Sequence, residues 1–408
     1  MKNRNTRKQC QTEMSDEIFD AAVIGGGPIG GFTALQIAKA GFRVAVIEEH
    51  IAPGEPVQCA GLISPRCLDI ADFCRHTVLG EMKGADIHSP AGKPLSIGGD
   101  RVQALVIDRA AFDRAIIEHA IDSGAVFISG CRVKDIERGP VQSVALPGKT
   151  LKARLIIGAD GARSVSGRSL GLGNPERILN GFTADVAGLD IEQDRVKVFF
   201  GRNLAPNFFA WMIPAGDVTR VGLCVRDAEV PVHAYFKKLF REGPAAGMLS
   251  EGRILGKHSG IIPLGTLEKT FTEGGMVVGD AAGQVKATSG GGIYPGLVCA
   301  GLCAKTATEA LGEDNLSEGS LAVYQEAWTR NIGDELKKAM MMHRIFSNMD
   351  DRELEDVFGM LSNPDILDTV NRVGDIDYPS RLGWLLLRKE PGFLRYAGKF
   401  LRHGILDL

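Results

Sequence analysis

The chain has 408 residues, 44% of them hydrophobic and 24% charged, an ordinary globular composition with length enough for two or three domains and large cores. Its formal net charge of -3 excludes a general nucleic-acid binder, whose footprint is strongly basic. No apolar run approaches the roughly 20 residues that a bilayer-spanning helix needs, which excludes an integral helical membrane protein.

The first fifteen residues, MKNRNTRKQCQTEMS, are polar and basic without the apolar centre of a signal peptide, and read as a disordered tail on a cytoplasmic protein. The eight cysteines (10, 59, 67, 74, 131, 224, 299 and 303) form no CxxC pair or zinc-like cluster. No metal site is expected, and a reducing cytosol keeps such residues as thiols.

Residues 19–49, FDAAVIGGGPIGGFTALQIAKAGFRVAVIEE, read as an apolar strand, a glycine turn, a helix and a second apolar strand ending in an acid. Gly25, Gly27 and Gly30 have GxGxxG spacing, and Glu48 follows 18 residues after Gly30. Each part has a physical task. Gly25 permits the tight turn, Gly27 lets backbone approach a pyrophosphate, Gly30 lets helix and strand pack closely, and Glu48 can accept hydrogen bonds from a ribose diol. This is a nucleotide site that by itself leaves NAD and FAD open.

The next stretch, IAPGEPVQCAGLISPRCLDI, is a loop leaving the carboxyl end of the second strand, the edge where doubly wound sheets bind ligands. It brings Cys59 toward a cofactor, although a buried small hydrophobe is the commoner role of a single cysteine. Residues 76–107 read as hairpin strands of a second sheet. VIDRAAFDRAIIEHAIDSGA then has helical spacing, with Arg109 at a strand-to-helix junction where a cation can face a cofactor or simply point to solvent. VFISGCRVKDIE reads as a strand pair, and LKARLIIGADGARSVSGRSLG as a buried strand, a turn at Asp160-Gly161 and a helix.

From 174 to 272 the pattern alternates as in an antiparallel sheet with one inserted helix, a substrate-facing layer. Pro206, Phe208, Phe209, Trp211 and Pro214 frame an aromatic segment whose rings either line a pocket or fill the sheet's core. The chain returns to cofactor chemistry where an apolar strand ends at Gly279-Asp280 and Gly290 to Gly292 open a long helix. Bare N–H groups there suit an anion or a carbonyl oxygen acquiring negative charge. Residues 315–408 read as mainly helical. Their end interleaves Trp384, Leu385 to Leu387, Phe393 and Phe400 with Arg381, Arg388, Lys389, Arg395, Lys399 and Arg402, a basic amphipathic segment suited either to an anionic bilayer surface or to packing on its own protein.

GGGPIG with Glu48, the GADG turn, and GDAAG followed by SGGGI together resemble flavoproteins of the p-hydroxybenzoate hydroxylase type, and within them the geranylgeranyl reductase family, especially the archaeal digeranylgeranylglycerophospholipid reductases. The resemblance covers roughly residues 18–400. The family's CxxGIS loop appears as CAGLIS, with Cys59, Ile63 and Ser64 kept and Leu62 in place of glycine. Its PxxYxWxFP motif appears as PNFFAWMIP, with Pro206, Trp211 and Pro214 kept and Phe209 in place of tyrosine. What the resemblance implies is an α/β fold: a Rossmann-like FAD-binding domain (16–75, 100–173 and 273–315), an antiparallel-sheet substrate domain (76–99 and 174–272) and a C-terminal helical region (316–408). It implies FAD contacts at Gly25, Gly27, Ile29, Gly30 and Glu48, at Cys59, Ala60, Leu62 and Arg109, at Val133, Asp160 and Gly161, and at Asp280, Gly292 and Ile293. Substrate contacts fall to Pro206, Phe209, Trp211 and Pro214, and Cys59 is the catalytic candidate.

The implied activity is reduction of isoprenoid C=C bonds in archaeal membrane lipids or their prenyl precursors, by an oxidoreductase acting on CH-CH groups. FAWMIP also resembles the WxWxIP of flavin halogenases, so a halogenase or monooxygenase is the alternative. No second GxGxxG is evident, so electrons are expected from ferredoxin or another small reductant. The implied location is the cytoplasm, with the basic end on the inner face of the membrane.

Overall fold

In this computed structural model the described residues are 7–9, 18–175, 177–393 and 395–396. The Phe19–Ile24 strand is apolar on both faces because it is covered on both, lying parallel between Val44–Ile47 and Lys149–Gly158 in a nine-stranded sheet. Val126–Ser129 and Gly275–Val277 extend the parallel set. The helices Pro28–Lys39, Arg109–Asp122 and Ile293–Gly312 share one core on one face, with Leu35, Ile37, Ile116 and Ile117 fully buried. Each such side chain contributes about 1.5–3 kcal/mol. The carboxyl ends of four parallel strands, at Ile24, Ile47, Gly158 and Val277, therefore lie along one edge. That edge leads into the glycine turn, Glu48, Asp160 and Asp280.

A seven-stranded sheet runs in the order Arg253–Leu264, Arg177–Ala187, Val218–Val225, Ala210–Ala215, Arg195–Phe199, Gly84–His88 and Pro94–Gly98. It is antiparallel as expected except at one seam, where Arg195–Phe199 pairs parallel with Gly84–His88. The helix Val232–Leu239 covers its back. A third sheet, Leu62–Ile63, Ala104–Ile107 and Val78–Met82, lies between the two large ones. Met82, Ala104 and Val106 on it pack with Val196, Ile213 and Ala215 of the seven-stranded sheet.

Four local expectations change. Only Gly84–His88 and Pro94–Gly98 of residues 76–107 form a hairpin, because Val78–Met82 and Ala104–Ile107 pair with each other in the small sheet. The two strands of VFISGCRVKDIE do not pair: Val126–Ser129 joins the parallel set, while Asp135–Glu137 pairs with Gln142–Leu146. Within the expected disordered tail, Arg7–Gln9 adds a parallel edge strand beside Val126–Ser129, and the rest of 1–15 lies outside the described residues. Cys131 is disulfide-bonded rather than a thiol.

The C-terminal helices Asp334–Ser347, Asp351–Leu361, Pro364–Val373 and Pro379–Lys389 return to the body of the protein. Glu355 Oε1 accepts Ala91 N–H at 2.7 Å, and Asn371 Oδ1 accepts Gly98 N–H at 2.8 Å. Among the described residues, no helix is long and apolar enough to cross a membrane.

Candidate functional site

The glycine turn has the backbone geometry its spacing implied. Gly25 has φ 105°, and a Cβ there would press within 2.7 Å of the Ala159 carbonyl carbon. Gly27 is the N-cap of Pro28–Lys39 and has nothing within 4 Å of where a Cβ would stand. No side chain caps that helix, so its first N–H groups face open space. A Cβ on Gly30 would strike Gly25 O, so this residue sets the helix-to-turn packing.

Glu48 is engaged by its own neighbours. Its Oε2 accepts Gly26 N–H at 2.7 Å, and its Oε1 accepts His50 N–H at 2.9 Å with His50 Nδ1 at 2.7 Å. Asp160 is engaged with its own helix: Oδ2 accepts the N–H groups of Val165 and Ser166, and Oδ1 accepts the hydroxyls of Ser164 and Ser166 at 2.5 Å each. That leaves Gly161, with φ 76°, as the open side of this turn.

The second anion-ready helix start is at Ile293, whose N-cap Gly292 also supplies no side-chain cap. Asp280 stands beside it, its Oδ1 2.9 Å from where a Gly292 Cβ would be. Burial pushes the Asp280 carboxyl up to about 6, with Arg109 opposing. The strand end before it is pinned by a chain invisible in the local pattern: Gly279 N–H to Gln284 Oε1 at 2.8 Å, Gln284 Nε2 to Tyr324 OH at 2.9 Å, and Tyr324 OH to Val277 O at 3.1 Å.

Arg109 begins a helix capped by Asp108, which accepts Ala111 N–H. Its guanidinium grips Asp113 through two bonds, Nε at 3.1 Å and Nη2 at 2.8 Å. Burial opposes the Arg109 charge, but the ion pair with Asp113 more than offsets it, so it stays protonated. The Cys59 sulfur accepts Gly61 N–H at 3.4 Å.

These elements surround one cavity of ≈ 1080 Å³. At one end lie Gly25, Gly27, Ile29, Glu48, Val133 and Gly161, and in the middle Cys59, Ala60, Leu62, Arg109, Asp280 and the Gly292-Ile293 turn. The remainder runs between sheets, walled by Met82, Ala85, Ile97, Val196, Val198 and Ile213. Phe209 and Trp211 line it too, so these two rings face a cavity rather than only filling a core. Pro206 and Pro214 do not line it: Pro214 follows Ile213 on a strand, so its side chain faces the other way. Gly30 stands behind the turn. The Trp211 Nε1 is buried without a protein partner, a donor aimed at nothing within the fold.

Sequence reading passed over the segment that closes the cavity near Gly290–Tyr294. Asp375, Ile376 and Asp377 line the cavity there. Lys286 Nζ donates to Asp377 Oδ1 at 2.6 Å and Ile376 O at 2.8 Å, and Arg66 binds both Asp377 and Asp375. Among the described residues no group of His, Cys, Asp and Glu is placed to hold a metal ion.

Two uncapped helix starts opening onto one cavity, with a glycine approach at Gly27, fit a long dinucleotide whose pyrophosphate meets one start and whose ring meets the other. The family described as lycopene cyclase protein matches residues 20–356. Digeranylgeranylglycerophospholipid reductase 2 of Methanopyrus kandleri is 30% identical over 401 residues, covering 94% of this chain and all of its own length. A geranylgeranyl bacteriochlorophyll reductase-like protein from Thermoplasma acidophilum has the same fold, with a TM-score of 0.83 at 22% identity over 95% of this chain and 99% of that one. A point mutant of the halogenase PltM in complex with FAD is a more distant structural neighbour, with a TM-score of 0.69 at 14% identity over 94% of this chain and 86% of that one.

Proposed function

The chain belongs to the lycopene cyclase protein family and, with its digeranylgeranylglycerophospholipid reductase relatives, to the geranylgeranyl reductases; on that premise we propose that it uses FAD to saturate C=C bonds of geranylgeranyl chains in archaeal membrane lipids or their prenyl precursors. The observation that carries this reading is the continuity of the cavity. One end has the glycine turn and the first helix start, the middle has the second helix start, and the other end is an apolar slot between two sheets. A long hydrocarbon chain fits the slot and a dinucleotide fits the first end and the middle.

Bound there in its reduced form, FAD would supply hydride to one alkene carbon. The residues do the rest. The uncapped Pro28–Lys39 start and Gly27 would hold the pyrophosphate, Glu48 the ribose, Asp280 the ribityl chain, and Gly292 with Ile293 the ring edge. The slot walled by Met82, Val196, Val198 and Ile213 excludes water and aligns an alkene that has no carbonyl to polarise. Cys59 delivers the proton to the second alkene carbon. Gly61 N–H donates to its sulfur and fixes the side chain at the cavity wall.

Electrons reach the cofactor from a separate reductant such as ferredoxin. The helix Pro379–Lys389 rests on an anionic bilayer: Arg381, Trp384 and Arg388, spaced i, i+3 and i+7, share one exposed face. Lys399, Phe400 and Arg402 of the same basic segment lie outside the described residues.

The decisive experiment is anaerobic incubation of FAD-loaded protein with dithionite and an unsaturated archaeal lipid, followed by mass in steps of two hydrogens. Stepwise gain supports the reading. Unchanged lipid together with NAD(P)H-dependent oxygen uptake and halogenation or hydroxylation of an added aromatic sinks it in favour of the halogenase class.

A further inference from the structure

Arg220 lies on the Val218–Val225 strand, opposite Ile213 on one neighbour and Asp185 on the other. Its guanidinium reaches out from the seven-stranded sheet. Nη1 donates to Ala60 O at 2.8 Å and to Ile107 O at 2.9 Å, while Nε stands 3.8 Å from Asp185 Oδ1. Ala60 directly follows Cys59, and Ile107 lies two residues before Arg109. One side chain therefore grips both backbone segments that present the thiol and the guanidinium beside it.

The surroundings are built for this grip. Ile107 N–H donates to Gly61 O at 2.9 Å, so the two gripped segments are also bonded to each other. Gly61 has φ 71°, and a Cβ there would strike Arg220 Nη1. Gly260 of the same sheet lets backbone abut the loop, since a Cβ at that position would come within 2.8 Å of Gln58 O. The Arg220 side chain is only 13% exposed, so its charge is held by these carbonyls and Asp185 rather than by water.

We propose that Arg220 is a positioning residue for the Cys59–Arg109 pair, acting through the carbonyls of Ala60 and Ile107. It does not line the cavity and touches no reacting atom. The physical need follows from the substrate class. A geranylgeranyl chain carries several double bonds, each of which must reach the same point. Fastening the thiol loop to the sheet along which the chain slides makes the proton donor and the wall move as one piece. The inference rests on the reading of Cys59 as the reacting thiol.

The test uses Arg220→Met and Arg220→Lys. In the apoprotein, amide hydrogen exchange over residues 57–64 is expected to speed up about tenfold or more in Arg220→Met, with the Phe19–Ile24 strand unchanged. In the FAD-loaded enzyme with dithionite, kcat is expected to fall about 30- to 100-fold while KM stays within about twofold. Arg220→Lys, which reaches one carbonyl rather than two, recovers part of both losses and carries the test should the Met variant not fold. Exchange over 57–64 and kcat both within about twofold of the parent in either folded variant overturn the proposal. A Cys59→Ser enzyme with full turnover would remove the thiol from the chemistry, an outcome separate from the loop's exchange rate, which still reports on the grip.

Discussion

Breaking the ion cluster over the far side of the site tests how the C-terminal region is held. The Lys286 side chain is 6% exposed and Asp377 is fully buried, and their bond is 2.6 Å long. Arg66 Nη1 holds the other Asp377 oxygen at 3.0 Å, and Asp375 chiefly keeps the Arg66 guanidinium charged against its burial. Removing one partner of a buried pair costs about 3–5 kcal/mol because the other charge stays behind in low dielectric. In Lys286→Met the abandoned carboxylate keeps Arg66, so the lower end applies, about 3 kcal/mol. Asp377→Leu strands a buried ammonium with only Ile376 O, about 4 kcal/mol. Lys286→Met with Asp377→Leu replaces both charges by apolar volume, and is expected to return to within about 1–2 kcal/mol of the parent. Global denaturation of a chain with several cores is not two-state, so the assay is amide exchange over residues 374–378, read as local opening free energy. Single-variant losses below about 1 kcal/mol, or losses that simply add in the double variant, would refute the reasoning.

Three further outcomes follow from groups at or beside the site. Asp280 has a folded pKa of about 6 against an ordinary 3.8, so the folded apoprotein binds the extra proton and loses stability as pH rises from about 4 to about 6, at most about 3 kcal/mol. Asp280→Asn is expected to flatten that slope and raise apoprotein stability at pH 7 while weakening FAD binding; an unchanged slope in a melting series from pH 4 to 7 contradicts this. His343 is buried with both ring nitrogens unpartnered, and burial first, then Arg226 and Arg177, lowers its pKa to about 4, so stability is lost as pH falls from 6.5 toward 4. His343→Leu is expected to stabilise by about 1–2 kcal/mol at pH 5, measured by thermal melting, and a destabilised variant would show that the ring has a partner it needs. Exchanging Trp384 for Ala and Arg388 for Glu should abolish sedimentation with anionic liposomes and leave turnover of detergent-dispersed lipid intact; unchanged sedimentation removes this helix from membrane contact.

The glycine turn was readable because its constraints are local. Gly25, Gly27 and Gly30 answer to the backbone within a few residues, and the strand periods on either side state the context. A local rule also corrects one expectation: the strand period of two that puts Trp211 and Ile213 on the cavity turns Pro214 away. What was not readable is long-range. Arg220 meets Ala60 across 160 positions and Lys286 meets Asp377 across 91, and nothing in either neighbourhood marks the partner. Asp160 shows the converse limit. It lines the cavity as its place after a buried strand suggests, but that place does not show that the serines at 164 and 166, only four and six residues on, bond both of its oxygens. Strand pairing fails for a similar reason, since Val78–Met82 and Ala104–Ile107 look like parts of one hairpin series until a third segment, Leu62–Ile63, supplies a sheet of their own.

Trp211 lines the cavity and lies against Gly222, where a Cβ would come within 2.7 Å of its ring, and its buried N–H has no partner within the protein. The other two tryptophans occupy unlike settings: Trp328 is buried and bonded to Thr270, and Trp384 is 62% exposed on the last long helix. Their emission therefore separates by colour and by quenching. In a Trp328→Phe, Trp384→Phe background the remaining fluorescence comes from the cavity wall alone, and the protein becomes an optical gauge of its own occupancy, read without any turnover.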